Sequence, residues 1–358
     1  MEVGATTVRF AHYQQSDYIY SRCDTLGLII WAEIPFVNRV TGQEWDNVHQ
    51  QMRELIRQSF NHPSIYVWGI HNEVYHPHGY TAALTQSVHD LCKLEDPDRY
   101  TVAVNGYGHA EHPVNGNTDI QGMNRYFGWY EKKIQDIKPW IEKMEKEYPW
   151  QRLMLTEYGA DANIEHQTEL LGDALNWGSD FYPETFQTKT HEYQWGVISQ
   201  HPYILASYLW NMFDFAVPQW KRGGVDARNM KGLITFDRKI RKDAFYWYKA
   251  NWSKEPVLYL TQRRNTERER RETSVTVYSN LGTPRVFLNG RELDGVRKGY
   301  TDVHYIFDQV TLAEGRNVLR AVIVSDGKEY TDEIVWNYSG EHVRQADAYE
   351  HKKEHAGW

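Results

Sequence analysis

YVWGIHNEVY, residues 66–75, is a run of strand-forming residues that ends in a carboxamide beside a carboxylate, Asn72 and Glu73. Tyr66, Val67, Trp68 and Ile70 give it a nearly continuous apolar character, which suits a strand covered on both faces. At a plain strand end Asn72 would cap the following turn and Glu73 would face water. At the rim of a buried sheet the same pair would face a cleft. The rest of the chain separates these alternatives.

Outward from this stretch the same unit recurs. Short apolar runs at 7–10, 28–34, 65–70, 101–104, 120–124, 153–156 and 204–210 read as strands. Helical periodicity fills 45–60, 81–93 and 131–146, with Val48, Met52, Leu55, Ile56 and Ser59 on one face of the first. Repeated strand-then-helix units specify a parallel sheet with right-handed crossovers. Their number over roughly 250 residues predicts a (β/α)8 TIM barrel, not a doubly wound sheet. No glycine-rich phosphate fingerprint opens any helix, which removes the nucleotide-binding alternative. Closure needs roughly eight strands, and the first run begins only at Thr7. The expectation is a barrel missing its first βα unit: a fragment, a misplaced start or one piece of a split protein.

Past Trp252 the texture changes. SVTVYSNLGTPRVFLNGREL (274–293) and GRNVLRAVIVSDGKEYTDEIVWNY (315–338) alternate polar and apolar residues around Asn-Gly and Asp-Gly turns. The expected organisation is a barrel over 1–252, a small all-β immunoglobulin-like sandwich over 253–340, and a polar tail over 341–358. QRRNTERERRE, 262–272, reads as a solvated charged loop, and the histidines of the tail as a frayed terminus.

Of the 358 residues 41% are apolar and 25% charged, as in an ordinary globular protein. A net charge of −8 without a basic block gives no footing for nucleic acid. No apolar run reaches the roughly 18 residues of a membrane span. Cys23 and Cys92 lack metal spacing and read as buried thiols. No cofactor and no metal is expected. Aromatics reach 14%, and many stand at strand ends and in loops: Tyr13, Trp68, Tyr75, Tyr126, Trp129, Tyr130, Trp177, Trp210 and Trp220. Beyond core packing, such rings suit a ligand with apolar faces and polar edges, such as a sugar.

In a barrel the working residues stand at the C-terminal strand ends. Glu73 has that position. So does Glu157, in LMLTEYGAD (153–161), directly after an apolar strand and 84 positions further on. At roughly 30 residues per βα unit that is three units, so both carboxylates open on one mouth. Two carboxyl groups about 5 Å apart are the apparatus of a retaining glycosidase, with one kept protonated and the other ionised.

HPSIYVWGIHNE (62–73) and LMLTEYGAD resemble the acid/base and nucleophile segments of glycoside hydrolase family 2, which holds β-galactosidases, β-glucuronidases and β-mannosidases. VRFAHYQQSDYIYSRCDTLGLIIWAEIP (8–35) resembles the family's second and third strands, MNRYFGWY (123–130) its sixth, and YLWNMFDF (208–215) its eighth. The match runs from about Gly4 to Trp252, and the family's upstream sandwich domains are absent. The resemblance implies Glu73 as general acid/base, Glu157 as nucleophile, and Asn72 as partner of the sugar 2-hydroxyl. It implies that Tyr126 bonds Glu157, that His12 and Arg9 line the sugar subsite, and that Trp210 stacks under the ring. Arg9 as an ion-pair residue, Trp210 as core and His12 as a strand-end histidine are the competing structural roles. Glu33, at the end of another strand, is a further candidate.

NMKGLITFDRK (229–239) places Asn229 and Lys231 where β-glucuronidases of the family grip the sugar carboxylate, although β-galactosidases also carry the pair. The resemblance favours terminal β-D-galactosides, with β-D-glucuronides as the alternative. A chain lacking upstream domains also leaves a third expectation, an inactive fragment or carbohydrate-binding remnant. The partner expected is a carbohydrate, self-assembly stays open, and the sequence does not define the compartment.

Overall fold

The computed structural model describes residues 1–74, 78–106 and 110–340. Its centre is a parallel sheet of seven strands in sequence order: β1 (Thr7–Phe10), β2 (Ile29–Glu33), β3 (Ile65–Asn72), β4 (Tyr100–Asn105), β5 (Ile120–Asn124), β6 (Leu153–Glu157) and β7 (Ile204–Ser207). The connections carry α1 (Asp17–Leu26), α2 (Trp45–Ser59), α3 (Gly79–Glu95), the short α4 (Pro113–Gly116), α5 (Ile137–Glu147) and α6 (Glu184–Ile198). α7 (Asp243–Trp252) follows. This is the TIM barrel architecture of the sequence reading, with an opening. Among the described residues β1 pairs only with β2 and β7 only with β6. Across the opening, the Thr7 and Tyr208 hydroxyls lie 3.0 Å apart.

Local chemistry explains the elements. α2 buries Val48, Met52, Leu55, Ile56 and Ser59 and turns its charged residues outward. Each large apolar side chain so buried contributes roughly 1.5–3 kcal/mol. α1 stops at Gly27, which adopts φ +69° and returns its N–H to the carbonyls of Cys23 and Asp24. A left-handed residue there is cheapest as glycine. In-register pairs such as Asn72 with Val104 and Asn124 with Glu157 bring the C-terminal ends of β3 to β6 to one rim.

Two segments differ from expectation. The stretch between Glu157 and β7, where the sequence shows no helical period, contains α6. Eleven of its residues are buried on every side, so no one-faced apolar stripe marks the helix. A hairpin also stands between β7 and α7, made of β8 (Phe215–Arg222) and β9 (Val225–Asn229).

Two further sheets follow α7. One has the order β10 (Leu258–Leu260), β12 (Glu272–Ser279), β16 (His304–Thr311), β15 (Val296–Lys298). The other runs β11 (Glu267–Arg268), β18 (Lys328–Tyr338), β17 (Gly315–Ser325), β13 (Arg285–Leu288), β14 (Arg291–Glu292). Their facing residues, including Val277, Val286, Phe307, Leu319 and Trp336, form one core. The charged segment 262–272 is only partly solvated. Arg264 reaches Glu184 and Asp243, Arg268 reaches Glu169, and Glu269 accepts from Thr168 and the Glu169 N–H. These pairs pin the sandwich to the barrel, while Glu267, Arg270, Arg271 and Glu272 stay exposed. The tail lies outside the described residues. Among those described, no helix is long and apolar enough to cross a membrane.

Candidate active site

Glu73 leaves β3 with φ +48°, a conformation costly for a residue with a β-carbon. Its N–H donates to Val104 O at 2.9 Å, which holds the turn. The carboxylate lies over Gly106, where a β-carbon would come within 3.1 Å of Oε1. Asn124, buried at the end of β5, donates to the same Oε1 at 2.9 Å.

Glu157 is the last residue of β6. Its two oxygens have separate partners. Arg9 Nη1 donates to Oε1 at 2.9 Å, and the Tyr126 hydroxyl donates to Oε2 at 2.6 Å. Burial, reinforced by the neighbouring Glu157 carboxylate, raises the Tyr126 phenol far above its ordinary range, so it acts as a neutral donor.

Asn72 is oriented by two acceptor bonds. Its Oδ1 takes Arg9 Nη2 at 2.8 Å and Asn124 Nδ2 at 3.3 Å. The Nδ2 group is left for the cleft, a donor suited to a sugar oxygen. The Asn124 carboxamide is itself fixed by Thr156 Oγ1, which donates to its Oδ1 at 2.7 Å.

These groups surround a cavity of about 760 Å³, the size of a small-molecule site. His12, Asn72, Glu73, Tyr126 and Glu157 line it, together with Trp210, Asn229 and Lys231. Arg9 is the exception among the expected site residues. Its side chain is only 3% exposed, and it stands behind the wall, not in the sugar subsite. The reason is its partners: a guanidinium that serves Glu33, Glu157 and Asn72 at once lies between them. Trp210 stacks on His12, with centroids 5.5 Å apart and planes 18° apart, so one face of the indole is already covered.

Lys231 is almost fully buried and already engaged. Its ammonium donates to Asp161 and, at 2.9 Å, to the Tyr130 hydroxyl. Asp161 also accepts Met230 N–H at 2.7 Å, and Asn229 Oδ1 accepts the Lys231 N–H at 3.0 Å. Asp161 closes the very motif that carries Glu157, yet its role was not legible there, because its partner lies 70 positions away.

Of the aromatics singled out in the sequence, Tyr126, Tyr130, Trp177, Trp210 and Trp220 line the cavity. Trp68 and Trp129 are core residues, Tyr13 is exposed, and Tyr75 lies outside the described residues. The sequence reading missed the outer wall formed by Asn38 and Arg39 beyond β2 and by Phe215 and Val217 on the hairpin. It also missed Asn124 and Gly106. NRY in MNRYFGWY was the available signal for Asn124: a polar residue ending an apolar strand, like Asn72.

Residues 1–256 match the TIM barrel domain of glycosyl hydrolases family 2. A β-glucuronidase of Bacteroides fragilis is 36% identical over an alignment of 351 positions that covers 94% of this chain and 49% of that protein. A solved Bacteroides fragilis structure, provisionally described as a β-galactosidase, is 79% identical with a TM-score of 0.94. The alignment covers 95% of this chain and 51% of that one. Bacteroides uniformis β-glucuronidase 2, solved covalently bound to cyclophellitol-6-carboxylate aziridine, is 29% identical with a TM-score of 0.81. That match covers 94% of this chain and 42% of the other. The chain thus spans about half the length of the curated relatives it matches.

Proposed function

Because the chain belongs to glycosyl hydrolase family 2, we propose that it removes terminal non-reducing β-linked sugars by double displacement. The observation that carries this reading is the opening of two strand-end carboxylates, Glu73 and Glu157, on one cavity. Glu157 attacks the anomeric carbon while Glu73 protonates the glycosidic oxygen, and the aglycone leaves. Water then enters, Glu73 takes its proton, and the Glu157 ester is cleaved with net retention. Arg9 and Tyr126 each hold one Glu157 oxygen and aim it. Asn72 Nδ2 donates to the sugar 2-oxygen.

The sugar is read by Asn229 and Lys231. We assign β-D-glucuronides first. An ammonium has three donors; Asp161 and Tyr130 occupy two of those of Lys231, and the third suits a sugar carboxylate. The names of the curated relatives support the same sugar. β-D-Galactosides are the second reading. Asp161 cancels the Lys231 charge, so a neutral hydroxymethyl group is tolerated at that place, and the 79% identical relative is provisionally described as a β-galactosidase.

Hydrolysis of p-nitrophenyl β-D-glucuronide and β-D-galactoside, compared by kcat/KM, decides between the two. A Lys231→Met variant should lose the glucuronide far more than the galactoside. Equal loss on both would overturn the assignment of Lys231 to the acid group. A folded chain that turns over neither substrate would overturn the enzymatic reading in favour of carbohydrate binding alone.

A further inference from the structure

Glu33, the last residue of β2, is not among the residues lining the cavity, yet it holds Arg9, whose side chain bonds both Glu157 and Asn72. Arg9 Nε lies 3.0 Å from Glu33 Oε2, and Arg9 Nη2 3.1 Å from Oε1. This is the two-pronged pairing of a guanidinium with a carboxylate. His12 Nδ1 lies 2.7 Å from the same Oε1. The remaining Arg9 donors serve the site: Nη1 goes to Glu157 Oε1, and Nη2 also to Asn72 Oδ1. The guanidinium rests on the Trp31 ring, 4.4 Å from its centroid. Space for Glu33 is reserved by Gly69 on β3, where a β-carbon would lie 2.5 Å from Glu33 Cβ.

We propose that Glu33 is a positioning residue that fixes Arg9 and shares its charge, so that Glu157 is aimed by Arg9 without being locked into a full ion pair. The proposal rests on the double-displacement reading and deepens it. A nucleophile paired one-to-one with a buried guanidinium would be a weak one, because the attraction lost on attack is large in a buried site. With Glu33 taking the bidentate face, Glu157 keeps one hydrogen bond and a share of the charge. Burial alone would raise the Glu33 carboxyl, but Arg9 and His12 more than offset it and hold it ionised below its ordinary range. The same carboxylate accepts His12 Nδ1–H, and His12 lines the cavity. The titratable and charged groups around Glu33 are Arg9 on β1, His12 just after it, and buried His71 on β3.

The decisive comparison is Glu33→Gln against the parent chain, with the Glu157 carboxyl followed by carbon NMR of labelled glutamates and assigned by Glu157→Gln. With the Glu33 charge gone, Arg9 should bind Glu157 more tightly, so the measured titration of Glu157 should move down. If Glu33 did not share the Arg9 charge, the Glu157 titration in a folded Glu33→Gln chain would stay where it is in the parent; that result overturns the proposal. The readout needs no substrate, so failure to hydrolyse any glycoside would count against the double-displacement reading and not against this one. In an active enzyme the acid limb of kcat/KM should move down with the same shift, and formation of the covalent intermediate should slow more than its hydrolysis. Should Glu33→Gln not fold, Gly69→Ala, whose β-carbon would press on both Trp31 Nε1 and Glu33 Cβ while the Glu33 charge is retained, must loosen Arg9 and raise the Glu157 titration. No change in a folded Gly69→Ala chain would overturn the proposal.

Discussion

The Tyr126 hydroxyl lies 2.6 Å from Glu157 Oε2, while Arg9 holds the other oxygen of the same carboxylate. A donor bond to a charged acceptor contributes about 1.5–3 kcal/mol. Tyr126→Phe should therefore lower kcat/KM by about tenfold to a hundredfold. Its phenol is raised far above the ordinary range by burial and by Glu157, so it should carry no part of the alkaline limb. A pH profile whose alkaline limb disappears in Tyr126→Phe would contradict that.

Glu157→Gln should abolish turnover of any β-glycoside the parent cleaves. Azide should leave that amide variant inactive, but should restore turnover to Glu157→Gly with an inverted anomeric product. Residual activity of Glu157→Gln above about 1% of the parent, measured with an activated nitrophenyl glycoside, would remove Glu157 from the nucleophile role.

Glu73→Ala should depend on the leaving group. An activated aryl group needs little protonation, so its release should survive while natural disaccharides fail. Rates of intermediate formation for the two substrate types give the comparison. Equal losses on both would count against Glu73 as the acid.

Glu192 on α6 accepts from the Tyr278 hydroxyl of the sandwich, with buried His304 Nε2 3.5 Å away. Burial foremost pushes its carboxyl up to about 7, and burial holds His304 neutral by pulling it down to about 3. The folded chain therefore binds the Glu192 proton more tightly than the unfolded chain does. That contribution to stability is complete below the ordinary carboxylate range and is lost as pH rises through 7. From pH 5 to pH 8 the melting temperature of the parent should fall by several degrees more than that of Glu192→Gln. Parallel slopes in calorimetry would rule Glu192 out as the source.

The outer edges of β1 and β7 carry unpaired backbone groups among the described residues. Apolar side chains lie beside them, with Leu205 53% and Ile29 45% exposed. A cavity of about 870 Å³ lined by both lies at the N-terminal end of the sheet. Such edges recruit strands from other chains. The chain should self-associate in a concentration-dependent way, and Leu205→Lys should reduce this in light scattering. A monodisperse parent at high concentration would refute the expectation.

The seven strands were legible because a strand buried on both faces is written as a short continuous apolar run, and that signal is local. Ile120–Asn124 and Thr7–Phe10 match residue for residue, and the others differ only at their ends. Glu73 and Glu157 were legible for the same reason, as carboxylates that interrupt such runs at their C-terminal ends. Helix α6 left no trace because burial on all sides erases the 3.6-residue period. The charged segment 262–272 looked solvated because charge alone does not say whether its partner is water or Glu169 and Glu184. Arg9 behind Glu157, 148 positions away, and Lys231 against Asp161, 70 positions away, are products of strand register and curvature. Hydrogen bonds and ion pairs depend on distances of a few ångströms between side chains, and only the packing of the strands against one another sets those distances.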